Sequence, residues 1–202
     1  MTDPRSPVGD RLEALLQVEQ FPPSAGFAER AQVTDPVVFE GAAADPTIWW
    51  AAQARERLHW NSPFSSVLDD SNAPFYTWFA DGTINASYNC LDRHVLAGRG
   101  DRVAFHWRGE EGEERDLTYA ELLDDVQRLA SALKAQGVRK GDVVGIYLPM
   151  IPEVVVAMLA CARIGAPHTV VFGGFAATAV RERLEVSHAK ALILADGARR
   201  KG

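Results

Sequence analysis

Hydrophobic and polar positions change their spacing several times in the last third of the chain, and these changes mark five elements. Three short, nearly all-apolar runs, 143–148, 167–172 and 191–195, are typical of parallel strands that helices cover on both faces. The segments 152–164 and 176–187 between them predict helices. Because such crossovers are nearly always right-handed, we expect the strand ends along one edge of the sheet. The pattern predicts an α/β fold with a mostly parallel βαβαβ sheet and flanking helices.

A hairpin and a long helix are predicted immediately before this unit. Residues 102–107 alternate as a strand, and residues 113–117 can return beside them after a glycine-containing turn. Thr118 and Glu121 form a capping box, whose hydroxyl and carboxylate bind opposite ends of the first helical turn. The helix is expected over 119–136. Its apolar stripe consists of Leu122, Val126, Leu129 and Leu133.

The first part of the chain has a weaker pattern. Residues 1–85 are rich in proline, alanine and aromatic side chains but have little periodicity. Asp45 and Pro46 favour the start of a helix that continues to about Leu58, because Asp is a good N-cap and Pro fits the first turn. Four of the five tryptophans lie within 30 residues, namely Trp49, Trp50, Trp60 and Trp78. We interpret this cluster as packing, since Trp mainly contributes large buried area.

A second helix is predicted over 86–97, with Asn85 as its N-cap and Gly98 just past its end. We therefore predict that residues 1–98 form an irregular, partly helical arm that packs on the main body. Residues 99–202 are expected to form the α/β domain.

Composition and charge exclude some classes of protein. The net charge of −6 argues against general nucleic-acid binding, which favours a basic face. No apolar run reaches the ~18 residues of a membrane span, and residues 1–10 lack the apolar stretch of a secretory signal. The two cysteines, Cys90 and Cys161, are predicted to be buried free thiols. These features predict a reduced, cytoplasmic protein without a nucleic-acid or membrane partner.

The candidate chemistry lies where the second and third predicted strands end. Gly173 and Gly174 follow the second strand, and three cations, Arg199, Arg200 and Lys201, follow the third. Ligands of open parallel sheets bind beyond the carboxyl ends of the strands. Glycines, a helix N-terminus and cations suit a phosphate group, so we predict a site for a phosphate or nucleotide moiety. An ordinary turn beside a solvated basic surface is the alternative, and the residues alone leave both open.

No catalytic centre and no metal site are predicted. The chain has no Walker A motif, no G-x-G-x-x-G fingerprint and no G-x-S-x-G nucleophile elbow. Cys90 and His94, four residues apart, would supply only two of the four ligands that structural zinc needs. We therefore assign no catalytic residue and no metal ligand.

Longer stretches of the sequence resemble one family of enzymes. Four segments resemble the N-terminal arm of AMP-forming acetate–CoA ligases, also called acetyl-CoA synthetases, and these are 21–24, 60–64, 78–85 and 88–94. Three others are similar to segments found across adenylate-forming enzymes, and these are 117–122, 141–144 and 147–150. Residues 170–175, Val-Val-Phe-Gly-Gly-Phe, are close to the acetyl-CoA synthetase version of this loop. The resemblance covers nearly the whole chain from Phe21 onward.

The resemblance implies part of the N-terminal domain of an adenylate-forming enzyme and a reaction in two steps. Acetate and ATP would give acetyl-adenylate and pyrophosphate, and the thiol of coenzyme A would then displace AMP. The residues that this resemblance places at the nucleotide end of coenzyme A are Phe172, Gly173, Gly174, Arg199, Arg200, Lys201 and Gly202. Some relatives have arginine at the position of Gly202, and Arg200 or Lys201 could substitute for it. Acetate, ATP and coenzyme A are the implied substrates, with Mg²⁺ bound in the full-length enzyme outside this chain.

The family's phosphate-binding loop, acetate pocket, ribose-binding aspartate and catalytic lysine are expected beyond Gly202. The resemblance therefore implies the N-terminal portion of the enzyme, which we expect to be inactive alone. Two other hypotheses are a non-catalytic module that binds coenzyme A or another nucleotide, and a structural segment whose tryptophan-rich arm packs on a partner chain. Propionate and acetoacetate are alternative acyl substrates, and no oligomeric state is predicted.

Overall fold

The computed structural model describes residues 22–197. Two compact units divide the chain, one ending at Trp50 and the other beginning at Ala51. The first unit contains helices α1 (Ala25–Ala28) and α2 (Val37–Ala44). Helix α3 (Pro46–Arg57) begins in it and ends in the second unit.

The predicted start of α3 is confirmed by its cap. Asp45 Oδ1 accepts hydrogen bonds from the amides of Thr47 and Ile48 at 2.9 and 3.0 Å. Trp49 and Trp50 follow, with ring centroids 4.6 Å apart in an edge-to-face arrangement. The side chain of Trp50 is 50% exposed. The interpretation of the tryptophan cluster as buried packing is therefore wrong for Trp50, and it is also wrong for Trp78, which is 40% exposed.

The second unit begins with a small aromatic core. Phe64 is buried, and its ring centroid lies 4.9 Å from that of Trp60 and 4.5 Å from that of Phe79. Trp60 also donates from Nε1 to the carbonyl of Ala54 at 2.9 Å. Trp60 therefore combines apolar packing with a satisfied polar edge, as buried indoles usually do.

A carboxylate closes the loop around this aromatic core. Two short strands, β1 (Leu68–Asp69) and β2 (Thr77–Trp78), pair antiparallel within the loop. Asp81 accepts hydrogen bonds from the amides of Ser65 and Ser66 at 2.9 and 3.1 Å, and from the Ser65 hydroxyl. These hydrogen bonds, led by that of the Ser65 hydroxyl, lower the pKa of Asp81 to about 2 because they favour the charged carboxylate.

The helix predicted over 86–97 is present, and its part Tyr88–Asp92 is π-helical. Within Val95–Arg99 the helix is interrupted, because Ala97 and Gly98 have non-helical dihedral angles. Asn85 is the N-cap as predicted, since its Oδ1 accepts from the amide three residues later at 3.0 Å. Gly98 has φ +74°, which confirms the left-handed conformation expected at the end of this helix.

Strands β3 (Val103–Arg108) and β4 (Glu114–Thr118) pair antiparallel, and helix α4 (Tyr119–Ala135) follows directly. The predicted capping box is confirmed. The Glu121 amide donates to Thr118 Oγ1 at 3.2 Å, and the Thr118 amide donates to Glu121 Oε2 at 2.9 Å. The buried residues of α4 are Leu122, Val126, Ala130 and Leu133, with Leu129 half-buried beside them.

The remaining elements form the predicted βαβαβ unit. In chain order they are β5 (Val144–Tyr147), α5 (Glu153–Ile164), β6 (His168–Val170), α6 (Ala177–Ser187) and β7 (Ala191–Leu194). The strand order is β6-β5-β7, and β5 pairs in parallel with both neighbours. These observations confirm a mixed α/β fold with a parallel three-stranded sheet.

The two faces of this sheet differ in how well they are covered. One face packs on α4 and α5, where the fully buried residues are Val126, Val144, Ile146, Ala157, Ala160 and Cys161. On the other face Leu184 of α6 packs against Gly145. Leu192 and Leu194 of β7 are 38% and 58% exposed. Within residues 22–197, the prediction that helices cover both faces of every strand is therefore wrong for β7.

We expect the contribution of Asp81 to stability to depend on pH. Its pKa is lowered from 3.8 to about 2 in the folded state, so its stabilisation is complete above pH 4 and is lost as the pH falls towards 2. Asp81→Asn should therefore lower the urea midpoint at pH 7, and the difference from the unchanged protein should shrink between pH 4 and 2. Asp70→Asn is the control, since no hydrogen bond to its carboxylate is seen in the described part of the chain. A difference that stays constant with pH would contradict the assignment.

Candidate functional site

The carboxyl ends of the three parallel strands lie at one edge of the sheet. A cavity of about 250 Å³ at this edge is lined by Tyr147, Leu148, Pro149, Gly173, Ala195 and Gly197. These residues come from the end of β5, the loop after β6 and the loop after β7. The parallel order thus brings the glycine pair and the start of the segment after β7 to the same cavity. The three cations Arg199, Arg200 and Lys201, and Gly202 after them, lie outside the described residues.

The glycine pair occupies the centre of a tight turn. The amide of Phe175 donates to the carbonyl of Phe172 at 3.0 Å, which closes the turn around Gly173 and Gly174. Neither glycine has a positive φ, so the turn does not need glycine for its backbone conformation. Within residues 22–197, the amides of both glycines have no hydrogen-bond acceptor. They are therefore the donors that this turn can offer to a ligand.

Gly173 is needed for packing within the protein. A Cβ at this position would lie 3.1 Å from the carbonyl oxygen of Leu148 and 3.3 Å from Cα of Pro149. The close backbone approach that the sequence predicts at this glycine is therefore made by the end of β5. Gly174 is exposed and lies on the outer side of the same turn.

Tyr147, the last residue of β5, contacts the turn through its side chain. It was not among the predicted site residues. Its hydroxyl lies 2.9 Å from the carbonyl oxygen of Phe175 and 3.4 Å from that of Gly173. The two carbonyls share the single hydrogen of this hydroxyl, and the amides of Gly173 and Gly174 take no part in the contact. A tyrosine at the last position of the central strand was the only sequence signal for this role.

Arg183 places a positive charge beside the same turn. Its Cζ lies 4.5 Å from the ring centroid of Phe175, which is a cation–π distance. Phe175 in turn makes an edge contact with Phe172 at 6.3 Å between centroids. Arg183 lies in the helix predicted over 176–187 and was not among the predicted site residues. The side chain is exposed, but its contact with the turn adds a cation that sequence reasoning missed.

A second cavity of about 570 Å³ lies at the same edge, between the β3–β4 turn and the loop after β5. Trp107 Nε1 donates to the carbonyl of Met150 at 2.8 Å and ties these two loops together. The acidic residues that line this cavity are Glu110, Glu111, Glu113 and Asp196. Arg108 also lines it, but is paired with Glu114. Because the carboxylates outnumber this arginine and repel phosphate, the cavity beside Gly173 suits a phosphate group better.

The described residues supply neither a metal site nor an activated thiol. Among residues 22–197, no group of three or more His, Cys, Asp or Glu side chains could hold a metal ion. Burial raises the pKa of the Cys161 thiol to about 11, which keeps it protonated at neutral pH. Cys90 is exposed, so the prediction that both thiols are buried is wrong for this residue.

No helix in the described range has the length and apolar content to cross a bilayer.

Two family models match the chain in succession. Residues 38–90 match the model described as acetyl-coenzyme A synthetase N-terminus, and residues 91–201 match the model described as AMP-binding enzyme. The second match contains the whole parallel sheet and the glycine turn. The first contains the aromatic core around Phe64.

Several curated relatives named acetyl-coenzyme A synthetase are similar to this chain. The protein of Streptomyces avermitilis is 55% identical over 194 residues, and that of Streptomyces coelicolor is 53% identical over 194 residues. Each alignment covers 96% of this chain, and 29% and 30% of the respective relative. A Mycobacterium tuberculosis protein is 54% identical over 183 residues, which are 90% of this chain and 28% of the relative. The chain therefore spans about three tenths of the length of these relatives.

We expect Gly173→Ala to destabilise the second unit by about 1–3 kcal/mol, the usual cost of overpacking. The reason is that its new Cβ would press on the backbone of Leu148 and Pro149. Gly197→Ala is a matched control at the same edge, since a Cβ there would meet nothing within 4 Å. Its free energy of unfolding should change by less than ~0.5 kcal/mol. Urea unfolding measures both, and equal effects would contradict the packing role of Gly173.

Proposed function

The chain belongs to the AMP-binding enzyme family, and from this premise we propose that its residues form the N-terminal part of an acetate–CoA ligase. In the proposed reaction, acetate and ATP give acetyl-adenylate and pyrophosphate. The thiol of coenzyme A then attacks the acyl carbon, AMP leaves, and the products are acetyl-CoA and AMP. The observation that carries the proposal is the 55% identity to an acetyl-coenzyme A synthetase over 96% of the chain. The match of residues 38–90 to the N-terminus of the same enzyme supports it.

We propose that the sheet edge binds the nucleotide end of coenzyme A. The residues assigned to this site are Phe172, Gly173, Gly174, Arg199, Arg200, Lys201 and Gly202. Two features of the described part support the assignment. Gly173 and the loop after β7 line one cavity, and the amides of Gly173 and Gly174 have no acceptor among residues 22–197.

The proposed site works through donors and charge. Backbone amides can donate to phosphate oxygens without a side chain between them. Arginine forks add paired, charge-assisted hydrogen bonds, and lysine adds a mobile charge. Arg183, held over Phe175, contributes further positive potential beside the turn. Each of these groups binds and orients the coenzyme, and none of them transfers a proton or attacks a substrate atom.

Adenylation and thioester formation need charges placed around the reacting phosphate and carboxylate. The described residues offer no such group and no cluster of metal ligands for Mg²⁺, so we assign no catalytic or magnesium role to them.

We propose that residues 1–98 form the N-terminal arm and residues 99–202 belong to the AMP-binding domain. The change between the two family matches at residues 90 and 91 supports this division. We also propose a cytoplasmic location, supported by two free cysteines in the described range.

Titration with coenzyme A tests the proposed binding site. We expect Arg199→Ala/Arg200→Ala to weaken binding by at least ~10-fold, because it removes charge-assisted hydrogen bonds to phosphate. The matched control is Arg128→Ala/Arg181→Ala, which removes the same net charge from exposed helix positions. Isothermal titration calorimetry in low and moderate salt gives the dissociation constants. Equal weakening by both double variants would reduce the effect to overall charge and contradict a local site.

The catalytic part of the proposal has a separate test. The purified 202-residue chain should give no acetate-dependent exchange of labelled pyrophosphate into ATP, because the groups that stabilise adenylation are not among its assigned residues. A full-length relative such as the Streptomyces coelicolor protein serves as the positive control. Acetate-dependent exchange clearly above background would show that the chain holds catalytic groups that we have not identified.

A further inference from the structure

Tyr147 is the one side chain of the described residues that reaches the glycine turn from the central strand. It is the last residue of β5 and is half-buried. Its hydroxyl bridges two carbonyls of the turn, at 2.9 Å to Phe175 and 3.4 Å to Gly173. A single donor on the central strand thus contacts two carbonyls of the turn, one in the Gly173–Gly174 peptide and the other at Phe175.

Backbone contacts hold the start of the turn, where Gly173 packs against the backbone at Leu148 and Pro149. The amide of Val171 donates to the carbonyl of Ile146 at 2.8 Å, and this is the last ladder bond between β6 and β5 before the turn. After it, the turn's own bond between Phe175 and Phe172 fixes its shape, but that bond does not attach it to the sheet. The Tyr147 hydroxyl adds a hydrogen-bonded link from β5 to the carbonyls of Gly173 and Phe175 in the turn.

We infer that Tyr147 is a positioning residue for coenzyme A, and this inference rests on the proposed function. By binding the carbonyl oxygens of Gly173 and Phe175, it orients the turn so that the amides of Gly173 and Gly174 remain available to a phosphate group. Tyr147 also lines the cavity at the sheet edge beside Gly173. Its aromatic ring therefore forms part of the wall, while its hydroxyl sets the direction of the donors.

A conservative variant separates the two functions of this side chain. Tyr147→Phe keeps the ring and removes the hydroxyl alone. Tyr76→Phe is the matched control, because it makes the same chemical change in a side chain that is 57% exposed and lies in the loop between β1 and β2. The unchanged 202-residue chain and both variants are titrated with coenzyme A and with pantetheine, which lacks the phosphates. Backbone amide NMR spectra of the ¹⁵N-labelled proteins report on the turn directly.

We expect Tyr147→Phe to weaken binding of coenzyme A by roughly 3- to 10-fold, the usual effect of one hydrogen bond. Weak binding of pantetheine should be the same for all three proteins. The amide resonances of Gly173 and Gly174 should shift in Tyr147→Phe and stay unchanged in Tyr76→Phe. A purely structural role would instead lower the unfolding temperature and affect both ligands alike.

Three outcomes would count against the inference, and they are distinguishable. If the unchanged chain does not bind coenzyme A, the proposed site and the role of Tyr147 in it both fail. If the unchanged chain binds and Tyr147→Phe binds equally well, the proposed function stands and the positioning role is overturned. If the resonances of Gly173 and Gly174 are unchanged in Tyr147→Phe, the hydroxyl does not orient the turn. This conclusion holds whatever the affinity of the variant for coenzyme A.

Discussion

The pairing of β5 with a parallel strand on each side supports the rest of the described α/β unit. Val144 and Ile146 are completely buried in this strand, and a buried backbone is stable only when its amides and carbonyls have partners. β6 and β7 supply those partners on both sides. Helices α4 and α5 then cover one face with a continuous core, while α6 crosses the other face over Gly145. The three strand ends meet at one edge because all three strands run in the same direction.

Contacts on α5 attach the segment around residues 85–92 to this core. The guanidinium of Arg163 forms a bidentate pair with Asp92 at 2.7 and 2.9 Å, and hydrogen bonding to Asp92 raises the pKa of Arg163. Asn85 donates from Nδ2 to the carbonyl of Arg163 at 2.9 Å while its Oδ1 caps the helix that follows. The planar fork of arginine gives such a pair a defined direction. These contacts fix the orientation of the π-helical segment, and Leu91 adds apolar burial beside them.

The glycine turn shows how a packing constraint and a ligand site can share residues. Gly173 lacks a side chain because the backbone at Leu148 and Pro149 occupies the space. The same close approach leaves the turn at the strand edge, where the amides of Gly173 and Gly174 face no acceptor among the described residues. The structural and the functional interpretations of the glycine pair are therefore compatible. The backbone just after β5 explains Gly173, whereas the exposed Gly174 has a role only in the site that we propose.

The sequence by itself determined the features that depend on near neighbours. The caps at Asp45, Asn85 and Thr118 could be predicted because their hydrogen bonds span two or three residues. The parallel sheet could be predicted because short apolar runs separated by helices have few other ways to bury their surface. The family resemblance could be recognised from ordered motifs, and the matches over residues 38–90 and 91–201 confirm it.

Tertiary structure alone decided the features that depend on residues distant in the chain. The hydroxyl of Tyr147 meets carbonyls 26 and 28 positions away, and no local pattern encodes such a contact. The exposure of Leu194 depends on whether a helix covers the outer face of β7, and that of Cys90 on which side of its helix meets the core. The spacing of residues predicts which elements form. Only their packing decides which side chains reach the site, because burial and hydrogen bonding are properties of the assembled layers.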